Sequence, residues 1–437
     1  MADRTVRVYA PPVPGAPPRP RVPRPERWIT GGGLRVVALP KPGVPQVVLK
    51  LVIPAGATAD PAAYPGTAAM VGQLLTEGTA TLTADELNER LDGLGASVHA
   101  GVGHDFAEVE TVLLSDTLAE GIALLAEVVT RPAFPERETE RIRAESLDAV
   151  VGRDDEPANV ADDRVAREVF GAAHPYGTPS FGTREGITAV PREALAAFHV
   201  ARYRPRGAFL VAAGDFDAAE LRARIEAAFG GWRGEAPALA PSAPPPPPEH
   251  AGRPVVVERE DAAQSEIRGG GHGIDRRSAE WFAAGVANYV LGGSTITGRL
   301  GANLREAKGW TYGARSAFHA GQRGSAWIAD TAVDLAVTAD AVAEIVGEAR
   351  RMATQEVGDD ELRRAKDALV LSLPRVFETA AGIASRFVTV EAFGLADDYW
   401  ERYAERVEQV TAAEVLAVAR RAFDPERLVR VVVGGMR

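Results

Sequence analysis

From residue 28 onward, short apolar runs alternate with stretches whose apolar residues recur every three to four positions. The runs LRVVALP (34–40) and VVLKLVIPAG (47–56) predict strands, and a helix is expected over about 64–76. TLTADELNERLDGLG (81–95) opens with Thr83 and has Glu86 three residues on, the spacing of a capping box. The alternation over 97–114 predicts a hairpin. Helical periodicity marks about 116–128, 135–150 and 158–170, then Pro191 to Tyr203. GAFLVAAGDF (207–216) reads as a buried strand, followed by a helix over 217–229. Five consecutive prolines, Pro244 to Pro248, then supply neither ladder nor helix donors, so residues 234–253 read as a semi-rigid linker.

The pattern resumes after the linker as a second copy. VHAG at 98–101 matches FHAG at 318–321, and the stretch from Ala189 matches that from Gln409, both 220 positions apart. AESLDAVV (144–151) faces KDALVLSL (366–373) at nearly the same spacing. One constant offset over distant matches predicts an internal duplication. The expected fold class is α+β: two tandem homologous units, each a mostly antiparallel sheet packed with helices. The division reads as a Pro-rich extension over 1–27, a first unit over 28–233, the linker over 234–253 and a second unit over 254–437.

Composition narrows the functional classes. A net charge of −11 argues against a nucleic-acid surface, which needs a basic patch. The chain has no cysteine, which excludes disulfides, thiolate catalysis and thiolate-bound zinc. No run of 18 apolar residues occurs, so no membrane span is expected. The N-terminal stretch has no apolar segment ahead of a small-residue cleavage site, and a cytoplasmic location is expected, with the periplasm left open.

Candidate chemistry is sparse. HAGVGHD offers His99, His104 and Asp105, but residues five apart on a strand point to opposite faces, and polar hairpin residues explain them more simply. GGGHG (269–273) lacks the strand-to-helix setting of a dinucleotide loop and reads as the end of a strand. No Walker loop and no nucleophile elbow is present. GGSTITGRLGANLREAKGWTYGARSAF, from residue 292 to 318, differs: a helix from about Gly298 to Lys308 carries Arg305 near its end, and Tyr312 follows it. A guanidinium fork suits a carbonyl or carboxylate, and a phenol can donate to a developing oxyanion. A surface arginine beside a packed tyrosine is the alternative.

Four stretches carry a resemblance: GTAAMVGQLLTEGT (66–79), RDDEPANVADDRVAREVFGAAHPYGTP (153–179), YRPRGAFLVAAGDF (203–216) and LREAKGWTYG (304–313). Together they resemble the pitrilysin-like zinc peptidases, the inverzincins, which include the mitochondrial processing peptidase subunits. Active members carry H-x-x-E-H on the first long helix. The resemblance places Ala69 and Gln73 at the two histidine positions and Gly72 at the general base, with the third ligand near Asp148. It therefore implies no metal and no cofactor in this chain. It implies half of a clamshell completed by a homologous zinc-bearing partner with an intact motif, enclosing an unfolded peptide. Arg305 and Tyr312 match the pair that such a metal-free subunit extends to its partner's zinc. An inactive homodimeric peptide-binding or scaffold protein is the alternative.

Overall fold

The computed structural model describes residues 21–239, 241 and 244–436. Residues 1–20 of the Pro-rich extension, and three linker positions, lie outside this range. Among the described residues, eleven strands form two sheets. The first contains β1 (Glu26–Ile29), β2 (Arg35–Pro40), β3 (Gln46–Ile53), β4 (Ser97–Val102), β5 (Ala107–Leu114) and β6 (Phe209–Gly214), in the order β1-β2-β6-β3-β5-β4. The second contains β7 (Pro254–Glu258), β8 (Gln264–His272), β9 (Ala314–Ala320), β10 (Ser325–Asp334) and β11 (Val429–Gly434), in the order β7-β11-β8-β10-β9. Only β2–β6 and β7–β11 pair in parallel. The second order is the first without β1, which places Glu26 and Arg27 of the expected extension inside a strand.

The helices of the first unit are α1 (Thr67–Leu74), α2 (Ala84–Gly93), α3 (Leu118–Thr130), α4 (Glu136–Asp155), α5 (Pro157–Phe170), α6 (Arg184–Ala189), α7 (Arg192–Arg202) and α8 (Ala218–Phe229). In the second unit they are α9 (Trp281–Asn288), α10 (Arg299–Gly301), α11 (Thr338–Thr354), α12 (Asp359–Leu371), α13 (Leu373–Val376), α14 (Ala380–Phe393), α15 (Tyr399–Gln409) and α16 (Ala412–Ala422). Thr83 caps α2 and Thr411 caps α16, each through a complete capping box.

Strand register tests the repeat residue by residue. Lys50 pairs with Glu110 as Arg268 pairs with Asp330, and Glu110 in turn faces His99 as Asp330 faces Arg315. The counterpart of His99 is therefore Arg315. His319 pairs with Ala326, so the FHAG match is four residues out of register. GGGHG ends a strand, as its sequence suggests. Gly269 to His272 lie within β8, and a Cβ on Gly270 would stand 2.8 Å from Val165 Cγ2. The glycine lets a helix approach the strand closely.

That helix is α5, and it belongs to the other unit. One face of each sheet packs on its own unit's helices. The opposite face is covered from across the chain. Val37, Leu39, Val48, Val52, Phe209 and Val211 of the first sheet bury against Ile383, Phe387 and Val390 of α14 and against Trp400. Val429, Val431 and Val433 of the second sheet bury against Ala161, Val165 and Val169 of α5. At about 1.5–3 kcal/mol for each large apolar side chain fully buried, this reciprocal exchange is a major share of the association between units. A polar seam joins it. The Asp105 carboxylate accepts from the Tyr176 hydroxyl at 2.6 Å and from the Gln322 backbone N–H at 2.8 Å, while the Tyr176 oxygen accepts from the Arg323 N–H at 2.9 Å.

The first core also contains a titratable group. His199 on α7 is buried, and its Nε2–H donates to the Val129 carbonyl at 2.8 Å. Burial pushes this imidazole down to about 4. The unfolded chain takes up the proton near its ordinary value of about 6.5, so stability contributed by neutral His199 is present above that pH and falls between 6.5 and 4, by about 3 kcal/mol in all. Denaturant unfolding across this window should show that loss. His199→Gln, which retains a donor, should flatten the slope, and an unchanged slope would contradict the burial of a neutral ring.

Candidate functional site

Helix α1 carries the positions at which the resemblance places the metal motif. It begins at Gly66, whose φ of +106° leaves no capping side chain, and the carboxylate of Asp60 substitutes by accepting the N–H groups of Gly66 and Ala68, both at 2.7 Å. Ala69 is half-buried, Gly72 is buried and Gln73 is exposed. Gln73 Nε2 donates to Ser146 Oγ on α4 at 3.4 Å. The structure thus sets Ser146 opposite the second ligand position. Asp148 is exposed, and at about 100° of helix turn per residue it lies on the far side of α4 from Ser146.

The space for a general base is filled as well. A Cβ on Gly72 would lie 2.5 Å from Val102 Cγ2 on β4. A branched methyl from a paired strand cannot swing aside as a long side chain could. Catalytic zinc takes three protein ligands of nitrogen, sulfur or carboxylate type. A methyl, a missing side chain, an amide and a hydroxyl do not fit that requirement. Among the described residues, no group of three or more His, Asp or Glu side chains is placed to hold a metal. The cluster near His104 does not substitute. His99 is exposed on β4, His104 donates to the Thr178 carbonyl at 2.9 Å, and Asp105 is committed to the seam between units.

The second unit departs from the first where Arg305 and Tyr312 lie. The counterparts of α1 and α2 are wound differently there. Helix α9 continues as a π-helical turn over Tyr289–Gly293, and α10 continues as another over Ala302–Ala307. The single regular helix expected from Gly298 to Lys308 is therefore mostly π-wound, a feature common at functional sites. Side chains hold this irregular backbone in place. Asn288 accepts from Ser316 Oγ at 2.8 Å and from Trp327 Nε1 at 3.0 Å. Arg299 grips Glu361 through two bonds, of 2.9 and 2.7 Å. Asn303 donates to Glu344 and Glu348 on α11, at 2.8 and 2.9 Å.

Arg305 lies in the second π turn with its side chain 37% exposed, and its ion-pair partner is the adjacent Glu306 at 3.6 Å. Lys308 and Trp310 fold back on one another, the ammonium 4.6 Å from the ring centroid. Thr331 on β10 donates to the Gly313 carbonyl at 3.0 Å, and Thr311 and Gly313 close the turn between them. Tyr312 projects from this pinned turn, 95% exposed and with no hydrogen bond to any described residue. It is not a packed core tyrosine. Both members of the pair are thus on the surface, on one short segment anchored from two sides.

Residues 35–183 match the family model described as Insulinase (Peptidase family M16), and residues 189–369 match that described as Peptidase M16 inactive domain. The chain belongs to peptidase family M16. The M16 relatives extend along most of its length. It is 28% identical over 402 residues to an uncharacterized zinc protease of Mycobacterium bovis, covering 91% of this chain and 90% of the relative. A match to a zinc protease of Mycobacterium leprae, also 28% identical, covers 65% of this chain and 64% of that protein. Among solved structures, a peptidase M16 inactive domain from Pseudomonas fluorescens superposes with a TM-score of 0.88 at 24% identity, covering 94% of this chain and 98% of that one. A protease from Helicobacter pylori gives 0.88 at 18% identity, covering 95% of this chain and all of the other. A chain of complex III from Candida albicans gives 0.78 at 16%, covering 94% and 95%. The tandem α+β fold is that of M16. The second model begins at Ala189, so α7 and β6, which complete the first sheet, fall within its span.

The plug at Val102 gives a direct test. In an open helix, Gly→Ala stabilises by about 1 kcal/mol. Gly72→Ala should instead destabilise, because overpacking costs about 1–3 kcal/mol. Adding Val102→Ala should restore much of the loss in thermal unfolding. A stabilised Gly72→Ala single variant would show that the socket is open.

Proposed function

We propose that this chain is the non-zinc subunit of a two-chain M16 peptidase. It binds unfolded peptide and presents Arg305 and Tyr312 to the metal centre of a homologous partner that carries an intact H-x-x-E-H. The observation that carries this reading is Tyr312: a large aromatic side chain in full solvent on a backbone fixed by Thr311, Gly313 and Thr331. Ordering such a turn without a contact for its ring gains nothing within this chain, so the contact is sought outside it. The match of the second half to an M16 inactive domain and the plugged α1 socket support the same division of labour.

In the complex the partner's zinc would supply the activated water. The residues of this chain act on charge and position. The Tyr312 hydroxyl donates to the oxygen that becomes negative in the tetrahedral intermediate, and the Arg305 fork orients the peptide by its carbonyls. Strands β4 and β9 are sheet edges with unpaired backbone groups, suited to receiving an extended peptide as an added strand. Clamshell closure would bring this surface over the partner's site.

Removing one oxyanion donor costs about 10²- to 10³-fold in turnover. Tyr312→Phe in the reconstituted two-chain enzyme should lower kcat by that amount with little change in peptide affinity. Unchanged turnover ends the assignment. A chain that sediments as a homodimer and co-purifies with no zinc-bearing homologue would instead favour a catalytically inactive peptide-binding or scaffold protein.

A further inference from the structure

Among the described residues, Arg276 and Arg386 of the second unit have no counter-charge within ion-pair distance. Arg276 follows β8, and Arg386 lies in the middle of α14. The carboxylates near them in sequence are committed elsewhere: Asp275 to Arg277 at 3.8 Å, Glu280 to Arg421 at 2.7 Å, Glu391 to Arg27 at 3.1 Å and Asp398 to Arg402 at 3.7 Å. Among the described residues, neither guanidinium has an ion-pair partner within 4.0 Å.

Arg276 is nevertheless withdrawn from solvent, and Arg386 is half-buried. Arg276 is only 7% exposed and is held against the rings of Trp281 and Tyr399, at 4.7 and 4.8 Å from their centroids. Its Nη1 donates to the Tyr399 hydroxyl at 2.7 Å. Arg386 lies 5.1 Å from the ring of Trp400. Trp400 packs on Tyr399 and Tyr403, with centroids 5.0 and 5.2 Å apart, so one aromatic cluster receives both cations. Burial holds the Arg386 guanidinium below its ordinary value, and the like charge of Arg276 acts in the same direction.

The balance of these terms is unfavourable as it stands. A cation–π contact offsets only part of the cost of withdrawing a charge from water, which an opposite charge would otherwise compensate. Among the described residues, the arginine nitrogens sealed off without a partner belong to Arg153, Arg164 and Arg430, so the unpaired nitrogens of Arg276 and Arg386 keep some contact with solvent. Tyr399 accepts from Arg276 and keeps its own proton to donate. The cluster presents donors and positive charge, with no acceptor to match them.

We propose that Arg276, Arg386 and the Tyr399 hydroxyl form a binding site for a small, doubly charged oxyanion of the phosphate type. Two guanidinium forks match two oxygens each, and two positive charges match a dianion. The site lies at the seam between the units, because α14 and Trp400 cover the first sheet. A bound anion therefore also strengthens the interlock.

The test is calorimetric titration of the full chain with inorganic phosphate at constant ionic strength, with acetate in parallel and thermal unfolding as the second readout. One saturable phosphate site and a rise in Tm are expected, with acetate binding at least about tenfold more weakly. Arg386→Gln should weaken phosphate about tenfold or more while leaving the far-UV spectrum unchanged. Tyr399→Phe, which removes one hydroxyl, carries the same test if the arginine variant fails to fold. No saturable binding to the native chain overturns the site, as does equal affinity in a folded variant. Acetate binding as tight as phosphate overturns the dianion assignment.

Discussion

The exchange of α5 and α14 between the two sheets is the constraint on which the rest of the molecule depends. Each sheet has two apolar faces, and its own unit supplies helices for only one of them. Either unit taken alone would expose a row of valines and a phenylalanine to water. The chain therefore folds as an interlocked pair. The plugged socket on α1 and the Arg305–Tyr312 turn are held in a fixed relation, with Asp105 and Tyr176 tying the two hairpin tips together. A surface offered to a partner needs this rigidity, because a tyrosine on a mobile turn would surrender much of its binding energy as lost entropy.

The two copies have diverged in a telling way. In the first, α1 is a regular helix, and Val102 fills the space beside Gly72. In the second, the equivalent helices are π-wound in part, and Asn288, Arg299 and Asn303 hold the irregular winding. The regular winding lies where the backbone packs closely on β4, and the irregular winding where Tyr312 is presented outward.

Much of this was legible in the chain. The alternating strands and the Thr83 box are local signals, and the structure places the corresponding elements within a few residues. The duplication was legible from a constant offset. Its finer alignment was not, because a two-residue difference in how the hairpin turns moves β9 by four positions while FHAG still looks like VHAG. The GGGH run was legible as the end of a strand, but the reason for its glycines was not: Gly270 answers to a helix from the other unit, over a hundred residues away in sequence. Short motifs on α1 showed which side chains are missing, but only packing shows that Val102 fills the gap and that Ser146, not Asp148, faces Gln73. Periodicity likewise cannot distinguish α from π winding over a single turn. The uncompensated Arg276 and Arg386 are invisible until the partners of every neighbouring carboxylate are known.

The central claim is that this chain has no grip for a catalytic ion and that bond cleavage needs a second polypeptide. Its most direct test is metal analysis of the homogeneous chain after equilibration with zinc and gel filtration, with peptide hydrolysis followed on the same sample. The account predicts far less than one zinc per chain and no cleavage until a homologue with intact H-x-x-E-H is added. One tightly held zinc per chain, together with cleavage by the chain alone that a chelator abolishes, would contradict it.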